Sequence, residues 1–239
     1  MTSVLVMQLA GPLQSWGASS RFARRTTEDA PTKSAMIGLV AAALGRPRTH
    51  TPDDLAALRF GVRIDQPGTP LRDFHTAHRF TTGEAMPVSE RYYLADAVFV
   101  AALEGDRDLI ERLHQAIREP VFLPYLGRRS CPPARPLELG VHHERSLDDV
   151  LKYEPWQAAR WYRRRQRPQT LEILVEATAV DGPVETVRDQ PLSFDPLHRR
   201  YALRRVLRSR IPPPPEPADG PTTVPDHDPT SLLGEPSCT

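Results

Sequence analysis

Four groups of residues have types and spacing that could do chemistry. In Ala30-Pro31-Thr32-Lys33-Ser34, two hydroxyls and a lysine meet the free N–H groups of an opening helix, a pattern able to hold a phosphate. The chain has no GxxxxGK[ST] loop, which argues against nucleotide hydrolysis, and ordinary helix capping is the competing reading. In Tyr125-Leu126-Gly127-Arg128-Arg129-Ser130-Cys131-Pro132-Pro133, a glycine permits close backbone approach and two arginines with a serine suit a phosphodiester backbone. A solvated surface loop is the alternative. Between Tyr153 and Arg167, the aromatics Trp156, Trp161 and Tyr162 interleave with Arg160, Arg163, Arg164, Arg165 and Arg167. Stacking platforms beside phosphate-neutralising cations form a single-strand footprint, but tryptophans and arginines also anchor protein interfaces. His75 and His78 are three residues apart with no cysteine cluster nearby, so no metal site is expected. His75 paired with Tyr92 or Lys33 could run metal-free RNA cleavage as a general acid–base pair. No GxSxG, HExxH or dinucleotide fingerprint is present, and no cofactor is expected.

These groups need elements to position them. Val4–Leu9 is an apolar run that reads as a buried strand, ended by Gly11-Pro12. Residues 17–30 are polar and arginine-rich, a loop. Pro31 opens a helix with Ala35, Met36, Leu39, Val40, Ala43 and Leu44 at helical spacing, stopped by Gly45. Leu58, Phe60, Val62 and Ile64 alternate with Arg59, Gly61 and Arg63, predicting a half-buried strand. Tyr92–Leu103 reads as one further strand. Asp106 caps a helix with the stripe Leu109, Ile110, Leu113, Ala116 and Ile117, and Val121–Leu123 reads as a short strand. Leu171, Ile173, Val175 and Ala177 alternate as another strand, whereas 124–168 carries no long periodic element.

The order strand, helix, strand, strand, helix, strand is the split β-α-β pattern of an α+β, ferredoxin-like fold, the class that includes the RNA-recognition-motif sheet. Its two middle strands are separated by a long insertion, about 66–92, that holds Arg72, His75, His78, Arg79 and Arg91 and fits a protruding basic arm. The expected organisation is a domain over 1–125 with that thumb insertion, a smaller β-containing region with basic loops over 126–210, and a disordered tail over 211–239.

Charge supports the division. The chain has 31 basic and 30 acidic residues, net +1. No lysine or arginine follows Arg210, but Glu216, Asp219, Asp226, Asp228 and Glu235 do, together with nine prolines. Residues 1–210 therefore carry 31 basic and 25 acidic groups, net +6, and only Lys33 and Lys152 are lysines. Arginine forks suit phosphate and base stacks, although codon bias gives the same excess. Two cysteines, Cys131 and Cys238, make no disulfide framework, and neither a signal peptide nor a membrane-length apolar run is visible. A cytoplasmic setting without membrane contact is expected.

Four runs together resemble one family. Leu9-Ala10-Gly11-Pro12-Leu13-Gln14-Ser15-Trp16-Gly17, Pro31-Thr32-Lys33-Ser34 with Gly38-Leu39 and Ala43-Leu44-Gly45, Leu71-Arg72-Asp73-Phe74-His75-Thr76, and Pro124-Tyr125-Leu126-Gly127-Arg128-Arg129-Ser130-Cys131-Pro132 are similar, in order and spacing, to the CasD or "Cas five" family of type I-E CRISPR Cascade. The resemblance covers roughly 3–175 and does not extend to the proline tail. It implies a ferredoxin-like domain with a β-hairpin thumb that binds the 5′ handle of CRISPR RNA and caps the filament of CasC backbone subunits. It further implies contact with the large subunit CasA and with target DNA held through the complex, and no catalysis, since maturation belongs to a separate subunit. RNA contacts are expected from Gln14, Ser15, Trp16, Arg21, Arg24, Arg25, Thr32, Lys33, Ser34, His75, Arg79, Tyr125, Gly127, Arg128, Arg129 and Ser130. A metal-independent endoribonuclease processing precursor CRISPR RNA is the alternative reading.

Overall fold

The computed structural model describes residues 2–17, 24–177 and 184–216. Arg21, one of the expected RNA-contact residues, and the tail beyond Glu216 lie outside the described residues. Among those described, one antiparallel sheet of seven strands organises the chain. Next to one edge is β1 (Thr2–Ala10), paired on one side with β7 (Val98–Asp106) and on the other with the edge strand β8 (Glu138–His143). β7 pairs β4 (Arg59–Gln66), and β4 leads through β9 (Leu171–Glu176) and β11 (Arg200–Ile211) to β10 (Val184–Ser193). The strands expected within 126–210 thus extend the sheet begun by the N-terminal half. A second sheet consists of the hairpin β5 (Thr69–His75) and β6 (Ser89–Ala95), with the short β2 (Leu13–Gln14) and β3 (Arg24–Arg25) on β6.

Alternation sends side chains of the large sheet to opposite faces. Leu5, Met7, Leu9, Phe60, Val62, Phe99 and Leu103 face α1 (Lys33–Ala43) and α3 (Arg107–Arg118). Val4, Val6, Val100, Ala102, Ile173 and Val175 face α4 (Leu147–Tyr153). Both helices on the first face start on side-chain caps: Thr32 accepts from the Ala35 N–H at 3.3 Å, and Asp106 accepts from Asp108 N–H at 3.0 Å. Gly45, with φ +73, ends the first of them. The four-residue α2 (Asp53–Ala56) and the seven-residue α5 (Arg160–Gln166) complete the helices.

Several expectations need correction. β4 is buried on both faces, not one, because α4 covers the side on which Arg63 projects. Arg63 is fully buried, pairs with the equally buried Asp65 at 2.5 Å, and donates to the carbonyls of Leu151, Glu154 and Pro155. The run Tyr92–Leu103 is two strands in two sheets, broken at Asp96, whose φ is +57. Val121–Leu123 is no strand: Val121 N–H donates to Ala43 O at 2.9 Å, closing the end of α1, and the next edge strand is β8. Residues 211–216 do not belong to a disordered tail. Ile211 pairs with Leu171, Pro214 is buried, and Pro215 O accepts from Trp156 N–H at 3.0 Å.

Candidate nucleic-acid interface

Two stretches far apart in sequence interlock beside the thumb. Gln14 and Trp16 are fully buried, so neither presents itself to a ligand. The Gln14 amide donates to Leu9 O at 3.1 Å and Ala97 O at 2.7 Å, bracing the break between β6 and β7. The Trp16 indole stands edge-on to Phe99 at 6.5 Å. Ser15 N–H donates to Leu126 O at 3.1 Å, and its hydroxyl donates to Tyr92 O at 3.1 Å. This segment holds the 125–131 loop, and the loop closes on itself through Leu126 N–H to Cys131 O at 2.7 Å. The Cys131 thiol beneath it is fully buried, and burial raises its pKa.

The loop presents its cations differently. Arg128 lies over the Tyr93 ring at 4.6 Å and donates to the Arg25 carbonyl at 3.0 Å, while another of its guanidinium nitrogens is buried without a partner. Arg129 and Ser130 are exposed, and Arg129 makes no ion pair with a described residue. On β3, Arg24 donates to the Tyr92 hydroxyl at 3.1 Å and sits over that ring at 5.2 Å.

An open cleft of about 1010 Å³ runs between this loop and α1. It gathers Ser15, Arg25, Ser34, Tyr125, Gly127, Arg128 and Arg129 from the expected set. It also recruits residues not singled out in the sequence: Arg46, Arg48 and His50 after α1, Phe122 and Leu123, and Arg199 with Tyr201 from the far edge. No carboxylate lines it among the described residues. Phe122 and Leu123 are 57% and 84% exposed, so flat apolar surface borders the arginines. Such a cleft can neutralise a phosphate chain and stack its bases. The basic triplet Arg46-Pro47-Arg48 directly after a helix stop was the sequence signal for the missed side.

The start of α1 is arranged otherwise. Lys33 is 1% exposed, its Nζ pairs with Glu176 at 2.9 Å, and its N–H donates to the Asp189 carboxylate at 2.7 Å. Asp189 in turn pairs with Arg204 at 2.7 Å. A protein carboxylate thus occupies the helix N-terminus, and Lys33 points away from the cleft. Burial pushes the Lys33 pKa down, with the Glu176 hydrogen bond and charge opposing it. Thr32 is buried as the cap, leaving Ser34 as the part of this motif that faces the cleft.

His75 and Arg79 are exposed on the thumb and do not line the cleft. Arg79 pairs with Glu84 at 3.5 Å across a tip turned by Gly83 at φ +69. Phe74, Phe80, Met86 and Val88 are exposed on the same hairpin. In the 153–167 stretch, Trp156 is buried and its indole donates to Asp65 O at 3.0 Å, whereas Trp161 is exposed. Among the described residues no group of three or more His, Cys, Asp or Glu could hold a metal, and no helix is long and apolar enough to cross a membrane.

A cleft lined by arginines, of which Arg46 is paired with Asp54 at 2.6 Å, with no lining carboxylate among the described residues and a protruding hairpin beside it, is a polyanion-binding arrangement. The chain belongs to the family described as CRISPR-associated protein (Cas_Cas5), which matches residues 4–207. It is 36% identical over 176 residues to the CRISPR system Cascade subunit CasD of Escherichia coli strain K12, covering 65% of this chain and 79% of that one. It is similar to a solved structure described as "Crystal structure of Cas protein", with 38% identity, TM-score 0.71, and 90% and 98% of the two chains covered. A structure described as "CRISPR RNA-guided surveillance complex" matches with 31% identity and TM-score 0.68, covering 88% of this chain and 91% of its own.

Proposed function

We propose that this protein is a non-catalytic, RNA-binding subunit of a type I-E CRISPR Cascade surveillance complex, holding the 5′ handle of CRISPR RNA in the cleft between α1 and the 125–131 loop. The observation that carries this reading is the cleft's lining: Arg25, Arg46, Arg48, Arg128, Arg129 and Arg199 with exposed Phe122 and Leu123, and no carboxylate among the described residues. Single-stranded RNA is recognised through splayed bases and phosphates, which this surface suits. Tyr125, Gly127, Ser130, Arg24 and Ser34 complete the contact surface, while Gln14, Trp16, Thr32 and Lys33 act from beneath it as positioning residues.

In this reading β1, α1, β4, β7, α3 and β8 are the ferredoxin-like core of a 1–125 domain together with the first strand of the 126–210 region. The split order β8-β1-β7-β4 supports it. The β5–β6 hairpin is the thumb, and its exposed Phe74, Phe80 and Met86 pack on a CasC backbone subunit while His75 and Arg79 lie against the RNA. CasA adjoins the same subunit, and target DNA is selected by base pairing with the guide rather than by this chain. The setting is the cytoplasm.

The nuclease alternative has weaker support. Lys33 is held by Glu176, and His114, His142 and His143 each face a carboxylate at 2.5, 3.0 and 3.3 Å. End-labelled repeat hairpin and pre-cut 5′ handle, each incubated with the chain in EDTA, separate the readings. Handle binding without cleavage is expected. Cleavage at one site, lost in His75→Ala, would make the protein a processing nuclease.

A further inference from the structure

The aromatic and arginine-rich stretch between Tyr153 and Arg167 takes no part in the cleft and lies on the other side of the large sheet. Trp156 and Ala158 pack on Leu171, which shares strand parity with Ile173 and Val175 on the α4 face. α5 follows on that side, with Tyr162 edge-on to Trp156 at 6.5 Å. Residues three and four apart share a helix face, so Trp161 has Arg164 and Arg165 beside it. Trp161 is 51% exposed and is held edge-on to Tyr162 at 5.8 Å. Arg164, Arg165 and the C-cap residue Arg167 are exposed, and none makes an ion pair with a described residue. At the end of α4, on the same side of the sheet, Tyr153 is 60% exposed and carries Lys152 over its ring at 5.2 Å.

Carboxylates close to this stretch are already engaged. Glu154 faces His142 at 3.0 Å, Asp148 pairs with Arg59 at 2.6 Å, Asp149 accepts from the Ser146 hydroxyl at 2.7 Å, and Glu216 pairs with Arg163 at 3.2 Å. The positive charge of Arg164, Arg165 and Arg167 is therefore left for a ligand. Guanidinium groups alone suit any anion, and an exposed indole alone suits many apolar surfaces. Together they suit a chain that alternates flat bases with phosphates. A duplex stacks its base faces on one another and offers none to Trp161, so the matching ligand is a single strand.

We propose that the α5 face is a second nucleic-acid site and that it binds a single strand of DNA, with Trp161 stacked on a base and Arg164, Arg165 and Arg167 on the adjoining phosphates. The choice of DNA rests on the proposed function. The cleft on the opposite side takes the guide's RNA end, whereas pairing of the guide with its target sets the other DNA strand free as a single strand.

The test loads the full chain with handle RNA and then titrates oligodeoxythymidine of about 12 nucleotides, within the usual site size of such surfaces. Trp161 fluorescence is read as the difference from the Trp161→Phe protein. The oligonucleotide should quench that difference and leave the RNA bound. Trp161→Ala should weaken the oligonucleotide about tenfold, the loss of one stacked base. The triple variant Arg164→Ala, Arg165→Ala, Arg167→Ala should lower the slope of log affinity against log salt by about 2, and its melt and handle affinity should stay unchanged. In the assembled complex on a target duplex, 5-bromodeoxyuridine in the displaced strand should crosslink to α5. An unquenched Trp161 with an unchanged salt slope overturns the proposal. So does release of the RNA by the oligonucleotide, which would place the DNA in the cleft, and so do displaced-strand crosslinks that all fall elsewhere. A triple variant lost from the complex with its oligonucleotide affinity intact would make the face a protein interface and overturn it too. If handle RNA itself fails to bind, the reading of the cleft falls, and the same titration without RNA still decides the α5 face.

Discussion

A β-carbon added at Gly127 would lie 1.8 Å from the carbonyl oxygen of Ser15, and Gly127 has φ +86. The loop backbone thus packs directly against the 14–16 segment, where Ser15 N–H also donates to Leu126 O at 3.1 Å. Glycine is required there twice, for the conformation and for the space. Gly127→Ala should cost about 1–3 kcal/mol from backbone strain, and the clash adds to it. A thermal melt and a handle-RNA titration check this; an unchanged melt would show that the loop moves freely from Ser15.

Arg128 and Arg129 should behave differently although they are adjacent. Arg129 is exposed and makes no ion pair with a described residue, so Arg129→Ala should leave the melting temperature unchanged and weaken handle RNA. The slope of log affinity against log salt should fall by about 0.7, the value for one lost single-strand phosphate contact. Arg128 also stacks on Tyr93 and ties down the Arg25 carbonyl. Arg128→Lys should therefore weaken binding and lower the melting temperature together.

Lys33 should matter for stability rather than for RNA. Lys33→Met removes the cation paired with Glu176 and leaves its carboxylate only the Phe60 N–H among the described donors, which should cost about 1–3 kcal/mol while the salt slope stays unchanged. The pH dependence has a definite sign. Burial lowers the folded-state pKa below the ordinary lysine value of 10.5, so the unfolded chain holds more protons between the two values. Across that alkaline window the wild type should gain stability relative to Lys33→Met as pH rises. Denaturant titrations at several pH values read the difference, and a wild type that loses ground there would contradict the burial argument.

The thumb tip should be an assembly surface. Phe80 is fully exposed and contributes nothing to the core. Phe80→Asp should leave the isolated chain's melt unchanged and reduce its recovery with the backbone subunits in a co-purification. Normal recovery would remove the tip from the interface.

Much of the sheet was legible because each central strand and its helix carry their own periodicity, as in Val4–Leu9 and the α3 stripe. The cleft's Gly127-Arg128-Arg129 wall was legible for the same reason: its residue types are local. Misplaced residues were those whose partners are distant in sequence. Lys33 reads as a phosphate ligand until Glu176 and Asp189, more than 140 positions away, fold against it. Trp16, expected from the family resemblance to touch RNA, is instead buried edge-on to Phe99. Arg63 reads as a solvent-side residue of an alternating strand because nothing local announces that α4 lies above it. β10 was hidden by two register shifts and a proline, which erase alternation, and β11 by the arginines along it. The single run Tyr92–Leu103 concealed a change of sheet because only the backbone at Asp96 marks it.

The most direct test of the account places RNA on the protein. Handle RNA carrying 4-thiouridine at successive positions, crosslinked to the intact chain and mapped by mass spectrometry, should label Tyr125 to Arg129, Phe122 and the Arg46–His50 segment, and Arg129→Ala should reduce the yield. Crosslinks confined to the α5 face, or absent from both walls of the cleft, would contradict the assignment of this cleft as the RNA site.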